Sequence, residues 1–371
     1  MKIRDTVLKP EEEAIFRLRE LYGKYGYTQY KMSKFEEYDL YVRNKSFLVS
    51  DSVITFTDTN GKLMALKPDV TLSIVKNTKD LQGQVQKLYY NENVYRISGK
   101  SRTFREIMQL GLECIGDIDG YCIGEVLMLA CGSLAAISEN YILDVSHLGL
   151  LSAILDRIPV SPTGRKQLLE SLAHKSLHDA DTVCREEGVP AEQAELLKRL
   201  AACSGNATDA LQKLYALLPD ASWQEAVKGF EAILSVLPCE NIRVDFSVVN
   251  DMRYYSGIVF QGFVEGVPES ILSGGQYDHL MRRMDKKSGA IGFAVYLDQL
   301  EGLGSAKKEY DVDTVILYDE SVCAGEVHRV AREMTASGTG VKVLKALPER
   351  LKYRRLVTIK ESGVEILETN A

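Results

Sequence analysis

The sequence predicts an α+β protein: an antiparallel-sheet core interrupted by a helical insertion and followed by a small α/β domain. Three observations carry this. Lys87–Ser98 and Glu106–Gly116 are rich in β-branched and aromatic side chains with alternating polarity, so they read as two strands, paired through the polar, basic loop Gly99–Arg105. Within residues 161–237 the segments 161–175, 191–205, 206–218 and 222–237 show helical periodicity, and strand-like segments return at Asn241–Val249 and Ile258–Glu265. The chain has 371 residues and 45% hydrophobic content, enough for one large core and a smaller unit. The expected domains are 1–158 and 239–303 for the two parts of the core, 159–238 for the insertion, and 304–371 for the terminal domain.

Taken in order, Pro10 to Gly26 carries Ala14, Ile15, Leu18, Leu21 and Tyr22 on one helical stripe, and Gly26 closes it. After the hairpin, an apolar helix is predicted from Gly120 to Glu139. A strand at Tyr141–Val145 and a helix from Leu148 to Arg157 follow, with no proline until Pro159. Helices of the insertion begin at Ser161, Asn206 and Ser222, all good cap residues. A glycine-rich turn is expected at Ser273–Gly275, then a helix Tyr277–Met284 and an apolar strand Ala290–Val295. Past a linker at Gly302–Lys308 come a strand (Thr314–Tyr318), a helix (Val322–Thr335), a strand (Val341–Leu344) and a hairpin-like pair (Leu356–Ile359, Val364–Leu367).

Composition excludes several classes. The formal net charge is -7 and the isoelectric point is near 5.5, which argues against general nucleic-acid binding, because phosphate recognition needs concentrated lysine and arginine. Seven scattered cysteines, an odd number with no C-x-x-C pair, support neither a disulfide framework nor a zinc site. No apolar run approaches the roughly 18 residues of a membrane span and the first residues do not resemble a secretory signal, so a cytoplasmic location is expected.

Some motifs are coincidental. Leu272–Ser273–Gly274–Gly275–Gln276 spells the signature pentapeptide of ABC-type ATPases, but the one Gly-Lys-Ser, Gly99–Lys100–Ser101, has Val94 where a P-loop needs its first glycine. His174 and His178 sit four apart on a predicted helix near Asp179 and Asp181; a solvated helix face accounts for them better than a metal site. His147, His279 and His328 are accompanied by no recognisable nucleophile arrangement.

One constellation survives. Lys67–Pro68–Asp69–Val70–Thr71, then Val94–Tyr95–Arg96 with Met108–Gln109–Leu110–Gly111–Leu112–Glu113, then Tyr254–Tyr255–Ser256–Gly257, Gly274–Gly275–Gln276–Tyr277–Asp278 and Gly292–Phe293–Ala294 follow one another over roughly the first 300 residues. In this order they resemble the motifs of class II histidyl-tRNA synthetases. The resemblance implies a class II aminoacyl-tRNA synthetase-like antiparallel sheet and a pocket for a free amino acid. Such a ligand needs acidic acceptors for its ammonium, a cation for its carboxylate and polar groups for the imidazole. By the resemblance, Asp69, Thr71, Gln109 and Glu113 would hold the ammonium and Arg96 would lie near the carboxylate. Tyr255 and Tyr277 would edge the imidazole, and Tyr254 completes the candidate set. Taken singly, each tyrosine is equally an ordinary buried aromatic and Glu113 a strand residue facing water.

The departures from the pattern point elsewhere. Asn250 stands where the synthetases carry an arginine, with Arg253 at a position that is usually acidic. Gln299 replaces the arginine of the third class motif, Ser98 replaces an acidic residue after the second, and Ser33 replaces the proline of the first. An aligned donor for developing charge contributes about 2.7–4 kcal/mol, so losing two arginines should abolish adenylation while leaving amino-acid binding possible. This pattern is similar to that of the regulatory subunits of ATP phosphoribosyltransferase. That resemblance implies a subunit without catalysis of its own, cofactor or metal. It also implies homodimers within a hetero-oligomer with the short-form catalytic subunit, and L-histidine as feedback effector, with no nucleic acid and no membrane. The alternatives are a divergent synthetase and a synthetase-like scaffold; residues 305–371, with 11 Lys+Arg against 11 Asp+Glu, do not favour RNA binding.

Overall fold

The computed structural model describes residues 8–48, 53–80, 83–97, 103–249, 254–303, 310–360 and 363–370. Two compact units divide the chain, within 1–303 and 304–371.

The first unit opens with α1 (Pro10–Lys24), where Pro10 occupies the first turn with Glu11, Glu12 and Glu13, and Ala14, Leu18 and Tyr22 form the buried stripe. Strands β1 (Thr28–Gln29) and β2 (Phe35–Glu37), helix α2 (Tyr38–Arg43), strands β3 (Thr55–Thr57) and β4 (Leu63–Leu66), and helix α3 (Thr71–Asn77) follow. The long hairpin is β5 (Val85–Ile97) with β6 (Phe104–Gly116), in continuous register from Val85↔Gly116 to Ile97↔Phe104. Next come α4 (Gly120–Ile137), β7 (Tyr141–His147) and α5 (Leu148–Leu155). The helical stretch comprises α6 (Pro162–Ala173), α7 (Leu177–Glu186), α8 (Ala191–Ala201), α9 (Ala207–Leu217) and α10 (Ala221–Leu234), with the short strand β8 (Gly205–Asn206) between α8 and α9. Strands β9 (Ile242–Val244), β10 (Ile258–Val264) and β11 (Leu272–Gln276), helix α11 (Asp278–Arg283) and strand β12 (Gly289–Tyr296) complete the unit.

Among the described residues, nine of these strands form one sheet in the order β1-β5-β6-β12-β11-β10-β7-β9-β8. β1 with β5 and β7 with β9 are parallel; the other pairs are antiparallel. The two-residue period of a strand decides what each face carries. On β6, Leu110, Leu112 and Cys114 enter the main core with α1 and α4, while Gln109, Glu113 and Ile115 point the other way. On β12, Ile291, Phe293 and Val295 join that main core, whereas Ala290 belongs to the second cluster, with Tyr90, Val94 and Tyr277. A separate three-stranded sheet, β2-β4-β3, lies beside the second cluster's chain segments.

The second unit is a four-stranded sheet in the order β14 (Val341–Leu344), β13 (Val312–Leu317), β15 (Tyr353–Lys360), β16 (Gly363–Thr369). Helix α12 (Ala324–Ala336) contributes Val327 and Val330 to a core with Ile316, Val357 and Ile359. The α+β expectation is met, with several differences in detail.

Ser273–Gly275 is not a turn but the middle of β11, paired on both sides. The glycines answer a packing demand: a Cβ on Gly274 would strike the Gly292 carbonyl and Phe293, and would lie 2.7 Å from the Phe260 ring. The strand expected over 241–249 stops at Val244, after which Asp245 accepts from Val248 N and the chain turns. His174 and His178 do not share a helix: α6 ends at Ala173, Lys175 takes φ 55°, and α7 starts at Leu177. Ser161 and Asn206 cap their helices through side-chain oxygens, but α10 starts at Ala221 with Asp220 as N-cap, ahead of Ser222. Helix α4 spans 18 residues of mean hydropathy 1.7, long and apolar enough to cross a membrane; more than half of it is buried inside the fold.

Candidate functional site

The cavity that matters opens on the face of the sheet away from α1 and α4. Its volume is about 540 Å³, within the range of small-molecule sites. β4 delivers the chain to Pro68, and Asp69 then accepts a hydrogen bond from Leu72 N (2.9 Å), fixing the first turn of α3 and placing Thr71 at the cavity wall. Arg96 comes from β5, and Gln109 and Glu113 lie four residues apart on β6, hence on the same face. Tyr254, Tyr255 and Tyr277 close the remaining side, with ring centroids 4.7 Å apart for Tyr254–Tyr255 and 5.9 Å for Tyr254–Tyr277. All eight residues singled out from the sequence line this one cavity.

Glu113 is the centre of the arrangement. Its Oε1 accepts from Thr71 Oγ1 (2.7 Å) and its Oε2 from the Tyr277 hydroxyl (2.5 Å), with the carboxyl fully enclosed. Burial pushes its pKa up to about 8; the bonds from Tyr277 and Thr71 oppose that rise, and the neighbouring Asp69 adds to it. Asp69 is raised as well, by burial first, against the opposing effects of Leu72 N and the Arg96 guanidinium. The phenols of Tyr254 and Tyr277 are held well above their ordinary range by burial, so both stay neutral donors. Arg96 is oriented by its Nε–H bond to the Pro68 carbonyl (2.9 Å). The sheet is shaped for this cluster: a Cβ on Gly292, opposite Glu113 in the β6–β12 register, would land on the Glu113 carboxylate and 2.5 Å from the Leu112 carbonyl.

Sequence reasoning missed Tyr90, Ser273 and Tyr296, which also line the cavity. The signal for Tyr90 and Tyr296 was positional: Tyr90 is six residues before Arg96 on β5, and Tyr296 pairs with Gln109 across β12 and β6. Gln299 lies outside the lining, in the 3-10 turn Leu297–Gly302, with its Nε2 3.4 Å from Glu269 Oε2. Ser98, Asn250 and Arg253 fall outside the described residues. Among the described lining residues the charged groups are therefore two carboxyls, Asp69 and Glu113, and one guanidinium, Arg96. No cluster of three metal-ligating acids, cysteines or histidines occurs among the described residues.

Residues 6–300 match the family model described as histidyl-tRNA synthetase. Among curated relatives, a protein of Oceanobacillus iheyensis named ATP phosphoribosyltransferase regulatory subunit is 25% identical over 293 residues, covering 77% of this chain and 72% of the relative. A histidine–tRNA ligase of Methanocaldococcus jannaschii is 28% identical over 291 residues, covering 76% and 69%. A solved structure from Bacillus halodurans, described as an ATP phosphoribosyltransferase regulatory subunit/histidyl-tRNA synthetase, superposes with a TM-score of 0.74 at 21% identity. It covers 94% of this chain and 93% of that one, a likeness of fold.

Proposed function

This chain belongs to the histidyl-tRNA synthetase family, and we propose that within it the protein is a regulatory subunit of ATP phosphoribosyltransferase that binds free L-histidine and does not activate it. It works in the cytoplasm as a homodimer within a hetero-oligomer, supports the short-form catalytic subunit and transmits histidine feedback inhibition. The family alone leaves ligase and regulator open. The observation that supports the regulator is the scarcity of cations on the cavity wall: Arg96 is the one cationic side chain among its described residues, and Gln299 lies outside the lining with its Nε2 near Glu269. That wall suits a zwitterion. Among its described residues it offers a triphosphate a single cation, whereas phosphoryl-transfer chemistry rests almost wholly on aligned cations and donors.

Histidine fits as follows. Its carboxylate pairs with Arg96, and its ammonium meets Asp69, Thr71 and Gln109. Glu113 lies between the two ends of the ligand, because one of its oxygens is tied to Thr71 and the other to Tyr277, the residue assigned to the imidazole. Glu113 thereby links recognition of the ammonium to recognition of the ring, with Tyr254 and Tyr255 packing beside it. Feedback needs only that histidine bind one assembly state more tightly than another by about 1–3 kcal/mol.

The test is co-purification with a short-form ATP phosphoribosyltransferase, assayed with and without histidine. Complex formation with stimulated, histidine-sensitive activity supports the proposal, and no complex and no stimulation overturn it. The similarity to the Methanocaldococcus ligase keeps a second reading, an active synthetase, in play. Histidine-dependent exchange of pyrophosphate into ATP separates the two: robust exchange would establish the enzyme, and none is expected.

A further inference from the structure

A second cavity, of about 670 Å³, lies between α4 and α10 and shares no lining residue with the first. Met128 from α4, Ala226 and Ile233 from α10, and Ile258 from β10 make its wall largely apolar.

Gly229, in the middle of α10, faces this space. A glycine inside a helix costs about 1 kcal/mol relative to alanine, so it needs a reason. Packing does not supply one, because a Cβ at Gly229 would meet nothing within 4 Å. Gly124 on the facing helix differs, since a Cβ there would come within 3.1 Å of Val236. Gly229 keeps the floor of the cavity clear.

Two polar groups face the same space with hydrogens to donate. His147 Nδ1 accepts from Leu150 N (3.2 Å), which leaves the proton on Nε2; that nitrogen has no hydrogen-bond partner among the described residues. Burial holds this imidazole down to about 4, so it is neutral, and the edge-on contact with Phe230 (5.5 Å, 85°) fixes the ring. Gln276 Oε1 accepts from Ile258 N (2.8 Å), which leaves its NH2 group similarly unpartnered among the described residues. His147 pairs with Ile258 across β7 and β10, so the two donors flank Ile258 from either side. The charged residue of the wall, Glu125, is already engaged by Lys87 (2.7 Å), Tyr121 (3.0 Å) and Tyr27 (3.3 Å).

We propose that the cavity between α4 and α10 is a second ligand site, taking a neutral, largely apolar molecule whose carbonyl oxygen accepts from His147 and Gln276. A carboxylate is disfavoured, because the two donors carry no charge and Lys87 is committed to Glu125. An amine is disfavoured, because the carboxylate among the described wall residues, Glu125, is already engaged by Lys87, Tyr121 and Tyr27.

The probe is 4'-fluoroacetanilide, followed by 19F NMR against the full chain, with N-ethyl-4-fluoroaniline, in which a CH2 replaces the carbonyl, as the control. Saturable line broadening for the anilide, at least tenfold weaker binding of the control, and shifts of the Met128 methyl group are expected. Gly229→Leu should abolish binding. Gly229→Ala should raise the melting temperature, and it reports whether position 229 tolerates a side chain should the leucine variant not fold. No saturable binding by the wild-type chain, equal affinity for the two probes, or unchanged binding in Gly229→Leu overturns the proposal. Because neither probe involves histidine, failure here leaves the proposed regulatory role standing.

Discussion

Replacing Glu113 by glutamine should change the pH dependence of histidine binding in a way that distinguishes an ionisable receptor from a merely polar one. In the empty cavity the carboxyl titrates near pH 8, so at neutral pH it holds its proton. Ligand hydrogens that replace or join those of Thr71 and Tyr277 need the carboxylate. Binding at pH 7 should therefore expel about 0.9 proton per histidine, given a pKa of about 8. On the same footing the affinity should rise roughly 50-fold from pH 6 to pH 8 and level off above it.

Glu113→Gln keeps the shape and loses the charge. Charge-assisted hydrogen bonds contribute about 1.5–3 kcal/mol, so at pH 8 the variant should bind roughly 10- to 150-fold more weakly. The gap should narrow toward pH 6, where the wild-type carboxyl is neutral too. Isothermal calorimetry from pH 6 to 9, in buffers of different ionisation enthalpy, measures affinity and proton release together. The free imidazole of the ligand titrates as well, near pH 6.5, but equally for both proteins, so their difference isolates Glu113. Identical pH slopes in the two proteins would refute the reasoning.

The same substitution should act in the opposite direction on the empty protein. The unfolded carboxyl titrates near 4.3 and the folded one near 8, so the folded state binds more protons between those values and wild-type stability falls as pH climbs through that window. Without ligand, Glu113→Gln should thus melt at a higher temperature than wild type at pH 8 and at nearly the same temperature at pH 5. Gly292→Ala places a methyl group on the Glu113 carboxylate and should abolish histidine binding, read by calorimetry, with a lowered melting temperature. Histidine at a hundred times its dissociation constant should stabilise the wild-type chain by about 2.7 kcal/mol in a thermal-shift assay, while millimolar Mg–ATP should leave the melting temperature unchanged.

What the sequence made legible follows period and order. The alternation along Glu106–Gly116 put Gln109 and Glu113 on one strand face, and the cavity is built on that face. Four of the five helices of 162–234 were visible because their caps and stripes are local signals, whereas α7 (Leu177–Glu186) was not read. Gly274 and Gly275 misled, since a glycine pair in isolation signals a turn, whereas here it accommodates Phe260, Phe293 and Tyr255 from neighbouring segments. The strands β2, β3 and β4 were not read because three or four residues offer too little period. Tyr90 and Tyr296 look like any core aromatic until strand register sets them beside Arg96 and Gln109.

The placement of the candidate residues accounts for the proposed amino-acid binding without catalysis. Glu113 and Gln109 sit in the paired interior of β6, flanked by β5 and β12, where thirteen and eight register pairs respectively fix the backbone. The backbone beneath those side chains is held by the sheet itself. Gln299, by contrast, belongs to a single 3-10 turn after β12, where a change of side chain disturbs no ladder. A side chain on such a turn can change without loosening the acids held by the sheet and by α3. The proposed histidine contacts and the position of Gln299 are thus rooted in different parts of the fold, one in a sheet interior and the other in a turn.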